Sequence, residues 1–309
     1  MKTISVVMAV YRNQDTLRGT WQELKALFDD GGPLSAYRYE LVFVDDGSDD
    51  GSFEELTALQ AADPAVRVVS FSRNFGQNAA VVAGFRHASG DAVVNKGADQ
   101  QEPLDAVVQM VREWEQGTEV VLGRRIGRED SLLARVLGNS YWAILKWLNP
   151  NMPVGSDFFL IGRKAVAVFN TIEESDRFFP VDVLWLGFRP CIVDYKRRRR
   201  LAGKSQWSLS RKTKAGVDGI LHSSYLPIRL ISFFGICVAG LGFGAAGVVV
   251  VLSFTIPHRY PGWLSIVCLL LLLHGLTLLM LGIIGEYVWR IYNQSKRRAE
   301  YVIWRKLGF

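Results

Sequence analysis

Along residues 1–125, short apolar runs alternate with segments whose apolar residues recur at helical spacing. ISVVMAV is a short apolar run rich in β-branched residues, as in a buried strand. From Asp15 to Phe28, Leu17, Trp21, Leu24 and Phe28 recur at helical spacing, with Asn13 or Asp15 as cap. YELVFV predicts a second strand and ends in DDGSDDGS, a turn-forming cluster. Phe53 to Gln60 is helical in pattern, VRVVSF predicts a third strand, Asn78 to His87 a helix and DAVVN a fourth strand. Pro103 opens a helix with Val107, Met110, Val111 and Trp114 on one face, and EVVLG follows as a fifth strand. Strands alternating with helices predict an α/β domain whose open, mostly parallel sheet is flanked by helices through right-handed crossovers.

The pattern changes near the C-terminus. Leu230 to Ile256 is 27 residues without a charge, and Trp263 to Gly285 is 23 more with one His. A bilayer core needs about 20 apolar residues at helical rise, so both stretches are long enough to span. Buried core helices would usually be shorter and keep a polar stripe. The linking TIPHRYP makes a tight hairpin. Arg211, Lys212, Lys214 and Arg229 precede the first stretch, and Arg290, Lys296, Arg297, Arg298, Arg305 and Lys306 follow the second, against Arg259 alone between them. The excess of positive charge places both termini in the cytosol. Before the first stretch, Val217, Ile220, Leu221, Ser224 and Ile228 share a helical face behind basic residues, and Pro227 interrupts the pattern. This reads as an interfacial amphipathic helix; a soluble helix packed on the globular domain is the alternative. The predicted organisation is a cytosolic domain over 1–205, an interfacial region over 206–228, two spans within 229–290 (230–256 and 263–286) and a basic cytosolic tail over 291–309.

Composition narrows the class. With 49% hydrophobic and 21% charged residues, the chain is not intrinsically disordered. Three cysteines, none in a C-x-x-C pair, offer neither a disulfide framework nor a zinc site, and the first apolar run is too short and too early for a signal peptide. The net charge of +6 fits nucleic acid, an anionic membrane or a phosphate-rich substrate.

In parallel sheets ligands bind beyond the carboxyl ends of the strands. Ala9 to Tyr11 ends the first strand, Asp45 to Ser48 the second, and the fourth runs toward Gly97-Ala98-Asp99. Two acidic points therefore converge on one mouth. Such carboxylates could hold a hard cation that offsets the charge of a nucleotide diphosphate. A solvated acidic turn explains DDGSDDGS equally well, and Asp99 could instead complement a helix dipole.

Taken in order, SVVMAVYRN, ELVFVDDGSDDGS, SFSRNFGQNAAVVAGFRHASGDAVV, KGADQQEP, VGSDFFLIGRKAV, YKRRRRLAGKSQW, LPIRLIS and GIIGEYVWRIY resemble the membrane-anchored branch of glycosyltransferase family 2. Within it the chain is most similar to polyprenyl-phosphate glycosyltransferases, the bactoprenol glucosyltransferase and dolichol-phosphate mannose synthase group. The resemblance covers nearly the whole chain. It implies a GT-A type nucleotide-sugar domain and inverting transfer of one sugar, as from UDP-glucose or a similar UDP-hexose, to a polyprenyl phosphate such as undecaprenyl phosphate. The site would face the cytosol, in the bacterial plasma membrane. By the same resemblance Ala9, Tyr11, Asp45, Asp46 and Arg73 border the nucleotide, Asp99 holds Mg²⁺ or Mn²⁺, and Asp157 is the catalytic base or orients the acceptor. The family often writes the metal motif Asp-Ala-Asp-Leu-Gln-Asp-Pro-Pro, whereas this chain has Gly97 where the first aspartate stands.

Lys196 to Arg200 is a run of five basic residues. It lacks the interleaved aromatics of a single-strand nucleic-acid binder and lies close to the apolar stretches, so no nucleic-acid partner is expected. A positive flank attracted to anionic lipid is the plainer alternative. The resemblance implies that Arg197, Arg200 and Ser205, with Arg125 and Arg128, bind the acceptor phosphate, for which the arginine fork is suited. Two other readings remain: a catalytically impaired membrane-anchored nucleotide-sugar-binding module, motivated by Gly97, and a processive polysaccharide synthase, which would need more spans; in any of these the Gly-rich face of GICVAGLGFGAAG could pack copies of the chain into a homo-oligomer.

Overall fold

The computed structural model describes residues 1–126, 143, 158–174, 177–198, 233–234, 237–238, 240, 244, 263–296 and 298–309. Its elements in chain order are β1 (Thr3–Val10), α1 (Gln14–Phe28), β2 (Arg38–Asp45), α2 (Ser52–Ala62), β3 (Val66–Phe71), α3 (Gln77–His87), β4 (Ala92–Asn95), α4 (Leu104–Glu115), β5 (Val120–Arg125), β6 (Phe159–Gly162), α5 (Arg163–Phe169), α6 (Phe179–Trp185), β7 (Pro190–Tyr195), α7 (Trp263–Ser295) and β8 (Ile303–Leu307). Residues 1–220 and 299–309 form one compact unit and residues 221–298 another.

The period-two alternation of the strands builds two cores, one on each side of a single sheet. Ile4, Val6, Met8 and Val10 of β1 face Leu17 and Leu24 of α1, Leu56 of α2, and Val107 and Val111 of α4. Val7, Val42, Val44 and Val69 face α3, α5 and α6, where Phe85, Phe159, Phe169 and Phe179 cluster. Gly84 lets α3 lie directly on β1, because a Cβ there would collide with the Val7 side chain.

The sheet is mixed, with six of its eight strands running one way and β6 and β8 reversed. Its order is β7-β5-β6-β4-β1-β2-β3-β8. β1 pairs in parallel with β2 and β4, β2 with β3, and β5 with β7. β6 runs antiparallel between β4 and β5, and β8 runs antiparallel along β3. The expected fifth strand therefore does not adjoin the fourth. The four apolar residues of β6 are too few to show a period, and they sit inside a motif that reads as a site segment.

The stretch 291–309, expected as a basic tail, contains β8. Tyr301 stacks on Phe71 at 4.9 Å between ring centroids, and Ile303 packs on the α3 side of the sheet. Ile303 and Leu307 are apolar enough to pair, and the basic side chains between them are exposed.

The expected interfacial helix over 206–228 lies outside the described residues, as does most of the first expected span. The second expected span falls within α7, which extends nine residues further, to Ser295. Along α7, Ile266, Leu269, Leu270, Leu278, Leu281, Ile284 and Val288 are exposed. Among the described residues, no helix is long and apolar enough to cross a membrane, so the fold does not establish the hairpin.

Candidate active site

Because β4, β5 and β7 run the same way as β1, β2 and β3, the carboxyl ends of six strands open on one edge of the sheet. Ala9, Tyr11, Asp45, Asp46, Arg73, Asp99, Arg125 and Arg197 all lie at or just beyond those ends; the strand pattern placed Ala9, Tyr11, Asp45, Asp46 and Asp99 there. Asp157, Arg128, Arg200 and Ser205 lie outside the described residues.

The two aspartates after β2 shape the mouth. Both are 2% exposed. Asp45 accepts from the Ser48 backbone N–H at 3.0 Å and the Ser70 hydroxyl at 2.8 Å, which closes the acidic turn. Asp46 accepts from the backbone N–H groups of Phe75 at 2.6 Å and Gly76 at 2.9 Å, which pins the loop after β3. Burial pushes the Asp46 carboxyl up to about 6; those N–H groups and Arg73 oppose the rise, and Asp45 adds to it. Arg73 lies on the pinned loop with its guanidinium 3.9 Å from the Phe75 ring centroid. Gly47, at φ +65°, is required here: a Cβ would lie 2.7 Å from the Arg73 Cα.

Tyr11 and Arg12 follow β1. The Tyr11 N–H donates to Asn13 Oδ1 at 3.0 Å. Arg12, at φ +54°, donates its backbone N–H to Ser48 and pairs through its guanidinium with Asp49, tying the β1 end to the acidic turn. An open cavity of about 1050 Å³ flanks that turn on the β8 side, lined in part by Asp45, Asp50, Phe53, Ser70, Trp304 and Arg305. It holds Asp45 but neither Tyr11 nor Asp99.

After β4 the chain turns sharply. Thr16 and Thr20 of α1 donate their hydroxyls to the buried Ala98 carbonyl at 3.0 and 3.1 Å. Gln100 takes φ +58° and tucks its side chain against Gly19. Asp99 therefore stands half-exposed at the mouth and accepts from the Gln101 N–H at 3.3 Å. Glu102 turns inward, accepting from the Gly97 N–H at 3.2 Å.

Two residues of this loop's surroundings escaped the sequence reading. Lys96 is 2% exposed, and its ammonium donates to the Gly97 carbonyl at 3.1 Å. Burial lowers its pKa, while Glu102, Asp99 and Glu23 act in the opposite direction. Alternation along β4 was the available signal, since Ala92 and Val94 point into one core and position 96 shares their face. Arg198 is the second. Its N–H donates to the Gln101 carbonyl at 2.9 Å, and the Gln101 side chain donates back to the Arg198 carbonyl at 3.4 Å. The exposed basic segment Lys196–Arg198 thus docks on the Asp99 loop. Arg125 ends β5 opposite Tyr195, while its neighbour Arg124 pairs with Asp194 at 2.6 Å.

A dication held by protein side chains alone would need converging carboxylates, whereas one shared with a diphosphate needs one or two. Among the described residues, no three His, Cys, Asp or Glu side chains form such a group. Position 97 has no side chain, Glu102 is turned inward, and an ammonium already lies beneath. Half-exposed Asp99 fits a Mg²⁺ or Mn²⁺ ion whose remaining ligands would come from a diphosphate.

Residues 5–168 match the model of glycosyl transferase family 2. An uncharacterized glycosyltransferase YkcC of Bacillus subtilis is 34% identical over 98% of this chain and 94% of its own length. A bactoprenol glucosyl transferase of Shigella phage SfV is 32% identical over 97% of both. In structure, a mannosyl-3-phosphoglycerate synthase from Rubrobacter xylanophilus superposes with a TM-score of 0.51 at 18% identity, covering 72% of this chain and 73% of that one, a likeness of GT-A fold. A mixed sheet with an acidic mouth at its strand ends, and relatives matched from end to end, lead to one conclusion: this chain is a glycosyltransferase and belongs to glycosyltransferase family 2.

Proposed function

We propose that this chain transfers one hexose, with inversion, from a nucleoside diphosphate sugar such as UDP-glucose to a polyprenyl phosphate such as undecaprenyl phosphate, at the cytosolic face of the plasma membrane. One observation carries this reading: the basic segment Lys196–Arg198 is hydrogen-bonded to the Asp99 loop through Arg198 and Gln101. A site for an anionic acceptor then abuts a site for a sugar diphosphate. The bactoprenol glucosyl transferase relatives support a polyprenyl acceptor.

In this reading the nucleoside lies against Ala9, Tyr11 and the Asp46-pinned loop that carries Arg73. Arg125 and Arg197 hold the acceptor phosphate, with Arg128, Arg200 and Ser205 as further ligands, and Asp157 orients acceptor or sugar. The acceptor phosphate is already anionic at neutral pH, so no strong base is needed. Its oxygen attacks the anomeric carbon from the face opposite the nucleotide. The bond from that carbon to the diphosphate oxygen breaks, and the electron pair leaves on the diphosphate. Alignment of two bound reactants is the main contribution of the chain's residues.

Membrane attachment is part of the proposal. It rests on the two uncharged stretches and on the exposed apolar side chains of α7. It also agrees with chain topology: β8 pairs with β3, so any membrane excursion between β7 and β8 must return to the side it left and cross an even number of times.

The test is incubation of the purified full chain, in detergent, with radiolabelled UDP-glucose and undecaprenyl phosphate. Butanol-extractable label in a β-linked monophosphodiester is the expected product. Donor binding without transfer from any UDP-hexose would favour the impaired binding module.

A further inference from the structure

We propose that Tyr301, on the segment that returns to the sheet after α7, is a positioning residue for the donor: through Phe71 and Phe75 it holds the Arg73 guanidinium where the nucleotide binds. The inference rests on the donor reading above, in which Arg73 borders the nucleotide, and adds to it a residue that touches no substrate.

Arg73 is exposed. A long exposed side chain keeps many rotamers unless a neighbour restricts it, and freedom lost on binding weakens affinity. Asp46 fixes the loop backbone at Phe75 and Gly76, but those bonds do not reach the Arg73 side chain. The guanidinium lies instead against the Phe75 ring, 3.9 Å from its centroid, and donates to the Asn74 carbonyl at 3.0 Å. The direction of Arg73 therefore follows the tilt of the Phe75 ring. Phe75 in turn meets Phe71 edge-on, with centroids 5.7 Å apart and rings at 87°. Phe71 is 1% exposed and stacks on Tyr301 at 4.9 Å. The rings form one row from Arg73 to the segment before β8. At its far end Arg86 of α3 lies 5.7 Å from the Tyr301 ring centroid and pairs with Glu300 at 3.2 Å, which fastens that segment to α3.

Strand pairing explains why Tyr301 reaches Phe71. Along the antiparallel pair, Val68 lies opposite Leu307 and Ser70 opposite Arg305, but Phe71 lies opposite Ile303. Trp304 is thus an extra residue, a bulge of the kind that re-aims side chains beside binding sites. Past it, the Ser72 N–H donates to the Val302 carbonyl at 3.0 Å. The backbone just before Arg73 is thereby tied to the residue just after Tyr301. Tyr301 becomes the diagonal neighbour of Phe71, a separation that aromatic rings bridge.

UDP is the probe, bound to the detergent-solubilised full chain with Mg²⁺ and measured by calorimetry. Tyr301→Phe keeps the stacked ring and should bind within about twofold of wild type. Tyr301→Leu removes the ring and should weaken UDP about fivefold or more. Arg73→Ala should weaken it as well. In the Arg73→Ala background Tyr301→Leu should add less than about twofold, because the ring acts through a side chain already gone. A merely structural role would cost the same factor in both backgrounds, and that additivity overturns the proposal. Binding of UDP by Tyr301→Leu as tightly as by wild type also overturns it. Where Tyr301→Leu does not fold, Phe75→Leu breaks the same row on the loop; its loss should vanish without Arg73, and a loss that persists overturns the proposal. Failure of wild type to bind UDP, or Arg73→Ala binding it unchanged, instead removes the donor reading of Arg73, and the role of Tyr301 with it.

Discussion

Asp46 accepts backbone N–H groups from Phe75 and Gly76, yet its carboxyl is pushed up to about 6, because burial outweighs those bonds. The unfolded chain ionises near 3.8. Asp46 therefore contributes stability that is fully present below that pH and is lost as pH rises through 6. Asparagine at this position mimics the neutral form. The thermal stability of wild type minus that of Asp46→Asn should fall steadily between about pH 4 and pH 7. A constant difference would mean that the folded carboxyl titrates like an unfolded one. Gly47 gives a sharper prediction. Gly47→Ala combines a strained φ with a clash against the Arg73 backbone, and should cost about 2 kcal/mol or more. It should also weaken UDP binding, because the loop carrying Arg73 must move; calorimetry and thermal unfolding check both. Asp45, Asp46 and Asp99 were legible because turn signals follow each strand. Lys96 was not: a lysine reads as surface unless strand alternation is carried one residue past the end of β4.

Among the elements, the first five strands were legible as short apolar runs and the four helices as segments of helical pattern between them. β6, β7 and β8 were not. FLIG is too short to show a period, and β7 is an edge strand with Ile192 exposed and Asp194 paired to Arg124. β8 reads as a basic tail until its partner is known. Its pairing has an energetic signature. Tyr301 lies parallel to Phe71 at an angle of 12° between rings, over an edge strand that would otherwise be open. Tyr301→Ala should lower stability by about 2 kcal/mol, through lost stacking and a partial cavity. Deleting residues 299–309 should do more, leaving β3 as a bare edge and promoting aggregation that light scattering would detect. Deletion without loss of solubility or melting temperature would show that β8 is dispensable to the sheet.

The chain divides into one unit of residues 1–220 with 299–309 and another of residues 221–298, and the two uncharged stretches fall in the second. Charge counting alone set the expected sidedness. The pairing of β8 with β3 adds a mechanical constraint that no local pattern contains, because it joins residues more than two hundred positions apart. A chain that leaves the sheet after β7 and re-enters it at β8 has both ends of its excursion on one side. If α7 spans, the segment around Arg259 must face the opposite compartment. In a chain with its cysteines replaced by serine, Arg259→Cys should react with a membrane-impermeant maleimide on intact cells, whereas Phe309→Cys should react only after lysis. Protection of both until lysis would mean that the apolar segment lies along the membrane surface or within the protein. The positive flanks would then reflect attraction to anionic lipid, not sidedness.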